Sequence, residues 1–428
     1  MSEPLDFRIS CLGEPRQPSP LSLSKVADDF IPDYTATDAR VLHDPSGATP
    51  EIFFEAAGPR ELNYFAGSEV VAAVVTCGGL CPGMNNVIRG LVRRLWYAYE
   101  VRRIYGFRYG FLGLTPRSPV GPLLLDPDVI RDIHLLGGTM LGSSRGPQQA
   151  TEMVDTLQRM GINMLFVVGG DGTMRGAHAI TEEIHRRNLK VAVVGVPKTV
   201  DNDILYIEKT FGFDTAVSVA TEAIRAAHVE AVGTPNGVGL VHLMGRNSGF
   251  IAASAALASR EANLVLVPEM PFELRGARGV LQYLRQRLRT RGHALVVVAE
   301  GAGQNHLPPT GEKDASGNVR LSDIGLLLRD TFLRELKPEG ISVKYIDPSY
   351  IVRAAPANAA DSIFCGQLSE EAVHAAMAGK TDLVIGYWLS RFTYVPLSAA
   401  IVGRKVISTD SAFWRSVVEA TGQPSLLS

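Results

Sequence analysis

The 428 residues are 46% hydrophobic and 20% charged, enough for roughly two or three domains with ample core. Lys+Arg 42 against Asp+Glu 44 leave a formal net charge of -2, which argues against nucleic acid or an acidic membrane as partner. Four cysteines, Cys11, Cys77, Cys81 and Cys365, make no disulfide framework and suit a reducing compartment. Cys77 and Cys81 have no Cys/His partners to complete a metal set and read as small residues in a loop. The N-terminus is interrupted by Glu3, Pro4 and Asp6, and no apolar run approaches the ~18 residues that span a bilayer. A soluble, cytoplasmic protein is expected.

Residues 1–68 are uneven. Pro15, Pro18 and Pro20 read as an extended arm, and Ile52-Phe53-Phe54 and Tyr64-Phe65 are apolar enough to dock it on a body. From Val70 the rhythm changes. Val70–Val75 reads as a buried strand that runs into Thr76-Cys77-Gly78-Gly79-Leu80-Cys81-Pro82-Gly83-Met84-Asn85. Val87, Ile88, Leu91, Val92, Leu95 and Trp96 then keep helical spacing. A glycine-rich turn between strand and helix frees backbone N–H groups for a phosphate; the alternative is a merely tight turn. It is neither a Rossmann fingerprint nor a P-loop.

A second glycine-rich turn, Gly137–Gly146, carries Arg145, and Gln149–Met160 reads as a helix. Asn163–Val168 is the next strand and enters Gly169-Gly170-Asp171-Gly172-Thr173. Here glycines admit a nucleotide, Asp171 can hold Mg²⁺ and Thr173 can donate to phosphate. Val191–Val196 is a further buried strand, ending in Pro197-Lys198-Thr199-Val200-Asp201-Asn202-Asp203. Two carboxylates at a strand end can divide labour, one taking a proton and one holding a metal; an Asx-rich turn is the alternative. Alternating strands and helices predict an α/β fold with a doubly wound parallel sheet.

Beyond Asp203 a helix near Thr215–His228 and strands at Gly239–Leu243, Asn263–Val267 and Ala294–Ala299 suggest a second α/β domain. The arginine-rich helix around Val280–Leu288 has a buried stripe and a solvated face. Residues 303–320 read as a mobile loop.

These motifs, in this order, resemble the 6-phosphofructokinase family from about residue 70 to about residue 400. The pieces are Gly78-Gly79 with Pro82–Asn85, Gly142–Arg145, Gly170–Thr173, Thr199–Asp203, Met244-Gly245-Arg246, Glu300 and Tyr350–Arg353. Gly-Gly-Asp-Gly-Thr alone also occurs in NAD kinases and lipid kinases; the conjunction is what is specific. The resemblance implies two doubly wound, Rossmann-like lobes with the active site in the cleft between them. Residues 69–212 with about 353–400 would form the nucleotide lobe, residues 213–352 with 401–428 the sugar-phosphate lobe, and residues 1–68 an arm packed on the body.

It further implies transfer of the γ-phosphoryl group of ATP to the 1-hydroxyl of fructose 6-phosphate. Gly79, Arg145, Gly146, Gly170, Asp171, Gly172 and Thr173 would bind the nucleotide. Asp171 would hold Mg²⁺ with help from Asp203, Asp201 would be the base, and Thr199 would position the transferred group. Met244, Gly245, Arg246 and Glu300 would hold the sugar, with Val200, Lys344, Tyr350, Ile351, Val352 and Arg353 also on the substrate side. Arg145 is also a candidate for neutralising transition-state charge. Such a chemistry needs in-line placement, cations on the oxygens and a base at the nucleophile.

Some positions depart from the commonest bacterial pattern. Leu80 replaces an Asp and Tyr350 a His; Lys344 and Gly237 stand where arginines usually reach in from a neighbouring subunit. Lys198 is the choice of pyrophosphate users and Gly172 that of ATP users. This mixture resembles the ATP-dependent subgroup closest to the pyrophosphate-dependent enzymes ("clade X"), and pyrophosphate-dependent transfer is the alternative function. A homodimer or homotetramer without nucleic-acid or membrane partners is expected. Arg89 and Arg93 match positions where bacterial relatives bind effectors.

Overall fold

Runs of valine, alanine and isoleucine set the strands. Val71–Thr76, Met164–Gly169 and Ala192–Pro197 are buried along their whole length, as strands covered on both faces must be. The computed structural model describes residues 5–26, 28–44, 46, 52–313 and 317–424. Glu3 and Pro4, parts of the N-terminal arm and part of the loop read at 303–320 therefore lie outside the described residues. Among the described residues no helix is long and apolar enough to cross a membrane.

The chain divides into two compact units. The first is drawn from Met1–Thr199, Ile204–Gly212 and Ala354–Arg404, the second from Val200–Asp203, Phe213–Arg353 and Lys405–Ser428.

In the first unit a nine-stranded sheet has a parallel centre. Its order there is Leu383–Trp388, Ala192–Pro197, Met164–Gly169, Val71–Thr76 and Arg103–Phe107. The parallel centre is that of the doubly wound sheet expected from the sequence, and antiparallel strands extend both edges. Leu123–Leu124 is antiparallel at one edge, and Arg391–Pro396, Phe53–Ala56 and Arg40–Leu42 follow antiparallel at the other. The hairpin Leu383–Pro396 turns through Leu389 and Ser390, both left-handed at φ 48° and 62°. That is the backbone a two-residue hairpin turn needs, but without the Asn-Gly or Asp-Gly signature that announces it.

The N-terminal segment thus contributes strands to the sheet edge. Its attachment includes a buried charge cluster: the Arg60 guanidinium lies 3.0 Å from Glu55, which Lys380 meets at 2.9 Å.

Helices Met84–Arg93 and Ala359–Met377 pack closely, Gly90 leaving room for Ser369. The second unit has a four-stranded parallel sheet, Leu264–Leu266, His293–Ala299, Gly237–Leu243 and Ser342–Ile346 in that order. Val280, Leu281, Leu284 and Leu288 join Leu328 and Phe332 in its core, so the arginine-rich helix buries the expected stripe.

Glu371, on Ala359–Met377, has one carboxylate oxygen cut off from solvent and without a hydrogen-bond partner. Burial, and then the charge of Glu370, push its carboxyl up to about 7. The folded state therefore binds this proton more tightly than the unfolded state. Its contribution to stability falls as pH rises from the ordinary carboxylate range and is lost above about 7. Glu371→Gln is expected to raise stability by about 2–3 kcal/mol at pH 8 and by little at pH 4. Thermal unfolding of both proteins at the two pH values checks this; a gain of equal size at both would remove the titration from the explanation.

Candidate functional site

In the first unit the parallel register sets three chain exits at one edge. Val168 pairs with Thr76 and with Val196, and Gly169 with Pro197. The first two glycine turns are laced together there. The Gly78 N–H donates to the Ser144 carbonyl at 3.0 Å, and Ser143 Oγ donates to the Gly78 carbonyl at 2.6 Å. Thr76 Oγ1 donates to the Gly142 carbonyl at 2.8 Å, while Asn85 accepts from the Met140 N–H at 2.8 Å. Arg145 is exposed, yet one guanidinium nitrogen lies only 3.1 Å from where a Cβ on Gly79 would stand. Gly146 follows it in the same turn.

Gly170 is the N-cap of helix Asp171–Arg186, so Asp171, Gly172 and Thr173 form its first turn. Helix N-termini present unpaired N–H groups and a positive dipole end, which suit a phosphate. A Cβ on Gly172 would meet nothing within 4 Å, leaving open volume at this turn. Lys198 is buried; its N–H donates to the Gly169 carbonyl at 2.9 Å and its ammonium to the Gly79 carbonyl at 2.7 Å. The Thr199 carbonyl accepts from Thr210 Oγ1 at 2.7 Å. One ammonium therefore ties the third glycine turn to the first, and Gly79, Arg145, Gly170–Thr173 and Lys198 come together.

Asp171 has more company than the sequence indicated. Arg175 approaches one carboxylate oxygen and Arg404 the other, each at 3.1 Å. Arg175 is legible as a partner four residues on along the helix; Arg404, far away in sequence, is not. Among the described residues no group of three or more His, Cys, Asp or Glu side chains could hold a metal. A carboxylate such as Asp171 with few further protein ligands is compatible with Mg²⁺, which keeps waters and takes oxygens from substrate phosphates.

In the second unit Val200–Asp203 forms a bend, with Asn202 left-handed at φ 54°. Asn tolerates that region well, so the two acids do not share one side of an extended strand. The Asp201 carbonyl accepts from Ser248 Oγ at 3.1 Å and the Asp203 carbonyl from the Lys405 N–H at 3.0 Å. Met244, Gly245 and Arg246 leave the Gly237–Leu243 strand, and Glu300 leaves the neighbouring His293–Ala299 strand. Their backbones are joined by Glu300 N–H to Leu243 and Gly301 N–H to Gly245, at 2.9 and 3.1 Å. The Arg246 guanidinium donates to the Val319 carbonyl.

Arg353 lies in the last turn of the short helix Ser349–Ala354, its Nε 3.1 Å from Met244 Sδ. Tyr350 and Ile351 are exposed on that helix, whereas the Val352 side chain is buried. Asp347 caps the helix start by accepting from Ser349, at 2.9 Å from its N–H and 2.5 Å from its Oγ. The hydrogen bond to His242 and those to Ser349 hold the Asp347 carboxyl well below the usual range.

Lys344 lies 3.9 Å from Glu230, a residue not among the predicted site residues. At Gly237 an added Cβ would sit 2.1 Å from the Ala231 carbonyl oxygen, so the backbone excludes an arginine there. A cavity of about 460 Å³ is lined by Asn247, Pro268, Glu269 and Val406–Thr409.

The phosphofructokinase family model matches residues 71–376. ATP-dependent 6-phosphofructokinase of Borreliella burgdorferi is 47% identical, over 99% of this chain and 98% of its own length. That of Amycolatopsis methanolica is 48% identical over 98% and 95%. ATP-dependent 6-phosphofructokinase 1 of Arabidopsis thaliana is 45% identical over 96% and 89%. Among solved structures, pyrophosphate-dependent phosphofructokinase from Marinobacter aquaeolei superposes with a TM-score of 0.69 at 22% identity, covering 82% of this chain and 91% of that one. At that identity the likeness speaks for the fold alone. With the family model matching most of the chain and these relatives matching nearly all of it, the protein belongs to the phosphofructokinase family.

Proposed function

We propose that the protein is an ATP-dependent 6-phosphofructokinase, forming fructose 1,6-bisphosphate and ADP from ATP and fructose 6-phosphate. The observation that carries the reading is the near full-length identity to relatives named for this activity. The donor side rests on the first-unit turns: backbone N–H groups at Gly79 and Gly170–Thr173 receive phosphates, and Arg145 and Lys198 neutralise their charge. Asp171, with Asp203 assisting, would hold Mg²⁺, which when bound spreads the charge of the phosphate oxygens. Asp201 takes the proton from the sugar 1-hydroxyl, and Thr199 orients the transferred group. Met244, Gly245, Arg246 and Glu300 hold the sugar, while Arg353 binds its 6-phosphate through a charge-assisted contact. Val200, Lys344, Tyr350, Ile351 and Val352 stay on the substrate side of this proposal, Val352 through its backbone. A homodimeric or homotetrameric, cytoplasmic enzyme completes it.

Pyrophosphate use is the second reading, and Lys198 favours it. Its ammonium, however, is already engaged with the Gly79 carbonyl, a role that either donor tolerates. Gly172 argues the other way. A carboxylate there would project into open volume and repel an α-phosphate, which pyrophosphate lacks.

Four measurements test the reading. With fructose 6-phosphate and Mg²⁺, turnover is expected with ATP and little with pyrophosphate. Gly172→Asp is expected nearly to abolish ATP use in a folded protein, whereas Lys198→Gly slows catalysis without changing the preferred donor. Robust turnover of the unaltered enzyme with pyrophosphate and little with ATP would reverse the weights given to these residues. Asp201→Asn is expected to lower kcat by ~10²-fold or more with a smaller change in sugar-phosphate affinity; normal turnover would remove Asp201 from the role. Arg353→Ala is expected to raise KM for fructose 6-phosphate more than KM for ATP, and the opposite order would exchange the two sides of the assignment.

A further inference from the structure

The bend that carries Asp201 and Asp203 is held from two directions within the second unit, and both supports lead to one carboxylate. Ser248 Oγ donates to the Asp201 carbonyl at 3.1 Å. The next residue, Gly249, donates its N–H to both Glu269 oxygens, at 3.0 and 3.1 Å. On the other side the Lys405 N–H donates to the Asp203 carbonyl at 3.0 Å. Two residues on, the Ile407 N–H donates to Glu269 Oε1 at 2.9 Å. The three segments 201–203, 247–249 and 405–407 are far apart in sequence, and Glu269 is the side chain common to the latter two.

The surroundings favour a rigid joint. Gly249 is the N-cap of helix Phe250–Ser259, so a carboxylate receiving its N–H also meets the positive end of that helix. Hydrogen bonds from backbone N–H groups to an ionised carboxylate are the stronger kind. Gly249 could carry no side chain here: a Cβ would stand 2.2 Å from Val267 Cγ1 and 3.2 Å from Glu269 Oε2. The Lys405 ammonium lies 5.2 Å from the centre of the Phe250 ring, a second contact between the same two segments.

We propose that Glu269 is a positioning residue for the Asp201–Asp203 bend, fixing the main chain from which the Asp201 carboxylate projects. This rests on the reading of Asp201 as the base. A general base acts only within hydrogen-bond reach of the proton it takes, so a shift of about 1 Å in the bend is expressed in turnover.

The test is a set of variants in the full-length enzyme. Glu269→Ala is expected to lower kcat about 10- to 100-fold while KM for ATP changes less than threefold. Glu269→Gln keeps an oxygen for the Ile407 and Gly249 N–H groups and is expected to restore most of the lost turnover. The decisive comparison is a double-mutant cycle with Asp201→Asn. If Glu269 acts by placing the Asp201 carboxylate, Glu269→Ala slows the Asp201→Asn enzyme by less than threefold. If it slows that enzyme by the same factor as the unaltered one, the proposal is overturned. Should Asp201→Asn itself leave turnover unchanged, the base assignment fails, and the Glu269 variants alone do not produce that result. Ser248→Ala, which removes one support without touching Glu269, provides the same cycle if Glu269→Ala does not fold. A smaller loss, about 3- to 10-fold and again absent in the Asp201→Asn background, is expected; full additivity would overturn the proposal.

Discussion

The register of three parallel strands governs the first unit. Because Val168 pairs with both Thr76 and Val196, the chain leaves Val71–Thr76, Met164–Gly169 and Ala192–Pro197 at one edge. Three turns then leave this edge; those after the first two strands are rich in glycine, which needs little space, and the third begins with Lys198 and Thr199. Side chains would compete with the backbone in the first two turns; glycines let N–H groups face outward there, and Lys198 brings a cation to them from the third. The Lys198 ammonium on the Gly79 carbonyl is the clearest result, since it joins the last of these strand ends to the first. Ligand sites at the carboxyl ends of parallel strands follow from the same geometry in other open α/β sheets.

The second unit uses the same device with different chemistry. Met244–Arg246 and Glu300 leave adjacent parallel strands and are joined by backbone hydrogen bonds. Around them polar side chains do the fixing. Asp347 holds the start of the helix that carries Arg353, and Glu269 gathers Gly249 and Ile407. In both places a carboxylate receives N–H groups that no strand or helix satisfies. Buried backbone polar groups must find partners somewhere, and irregular segments near a site find them in acidic side chains.

Much of this was legible in the sequence. Val70–Val75, Asn163–Val168 and Val191–Val196 are continuous apolar runs of strand length, and each runs into a polar or glycine-rich turn. That conjunction marks both the strand and the end at which chemistry is placed. The stripe of Val280, Leu281, Leu284 and Leu288 was equally plain and is buried. Less was legible where the pattern is silent. Ala359–Met377 buries Asp361, Ser369 and His374 and exposes Ile363, so its polar and apolar residues do not separate into two faces with a clear helical period. The Leu389-Ser390 turn adopts a backbone its residue types do not announce. Arg404, Asp347 and Glu269 escaped because their importance comes from tertiary contacts that spacing does not encode.

Asp171 shows how such contacts change the meaning of a motif. Read from sequence, it is a carboxylate beside glycines. In the fold it stands at a helix N-terminus, largely shielded from solvent, with an arginine on each oxygen. The helix start and both guanidinium groups thus surround this carboxylate with positive charge. The same arginines neutralise the carboxylate until a stronger cation arrives. If Asp171 holds Mg²⁺ as proposed, the ion would have to displace or share one of these arginines. A guanidinium displaced in that way would be available to the phosphates that accompany the ion. On the proposed assignment a nucleotide-bound cation would be favoured over a bare one, because only the nucleotide would supply anionic oxygens to take up the displaced arginine's bond.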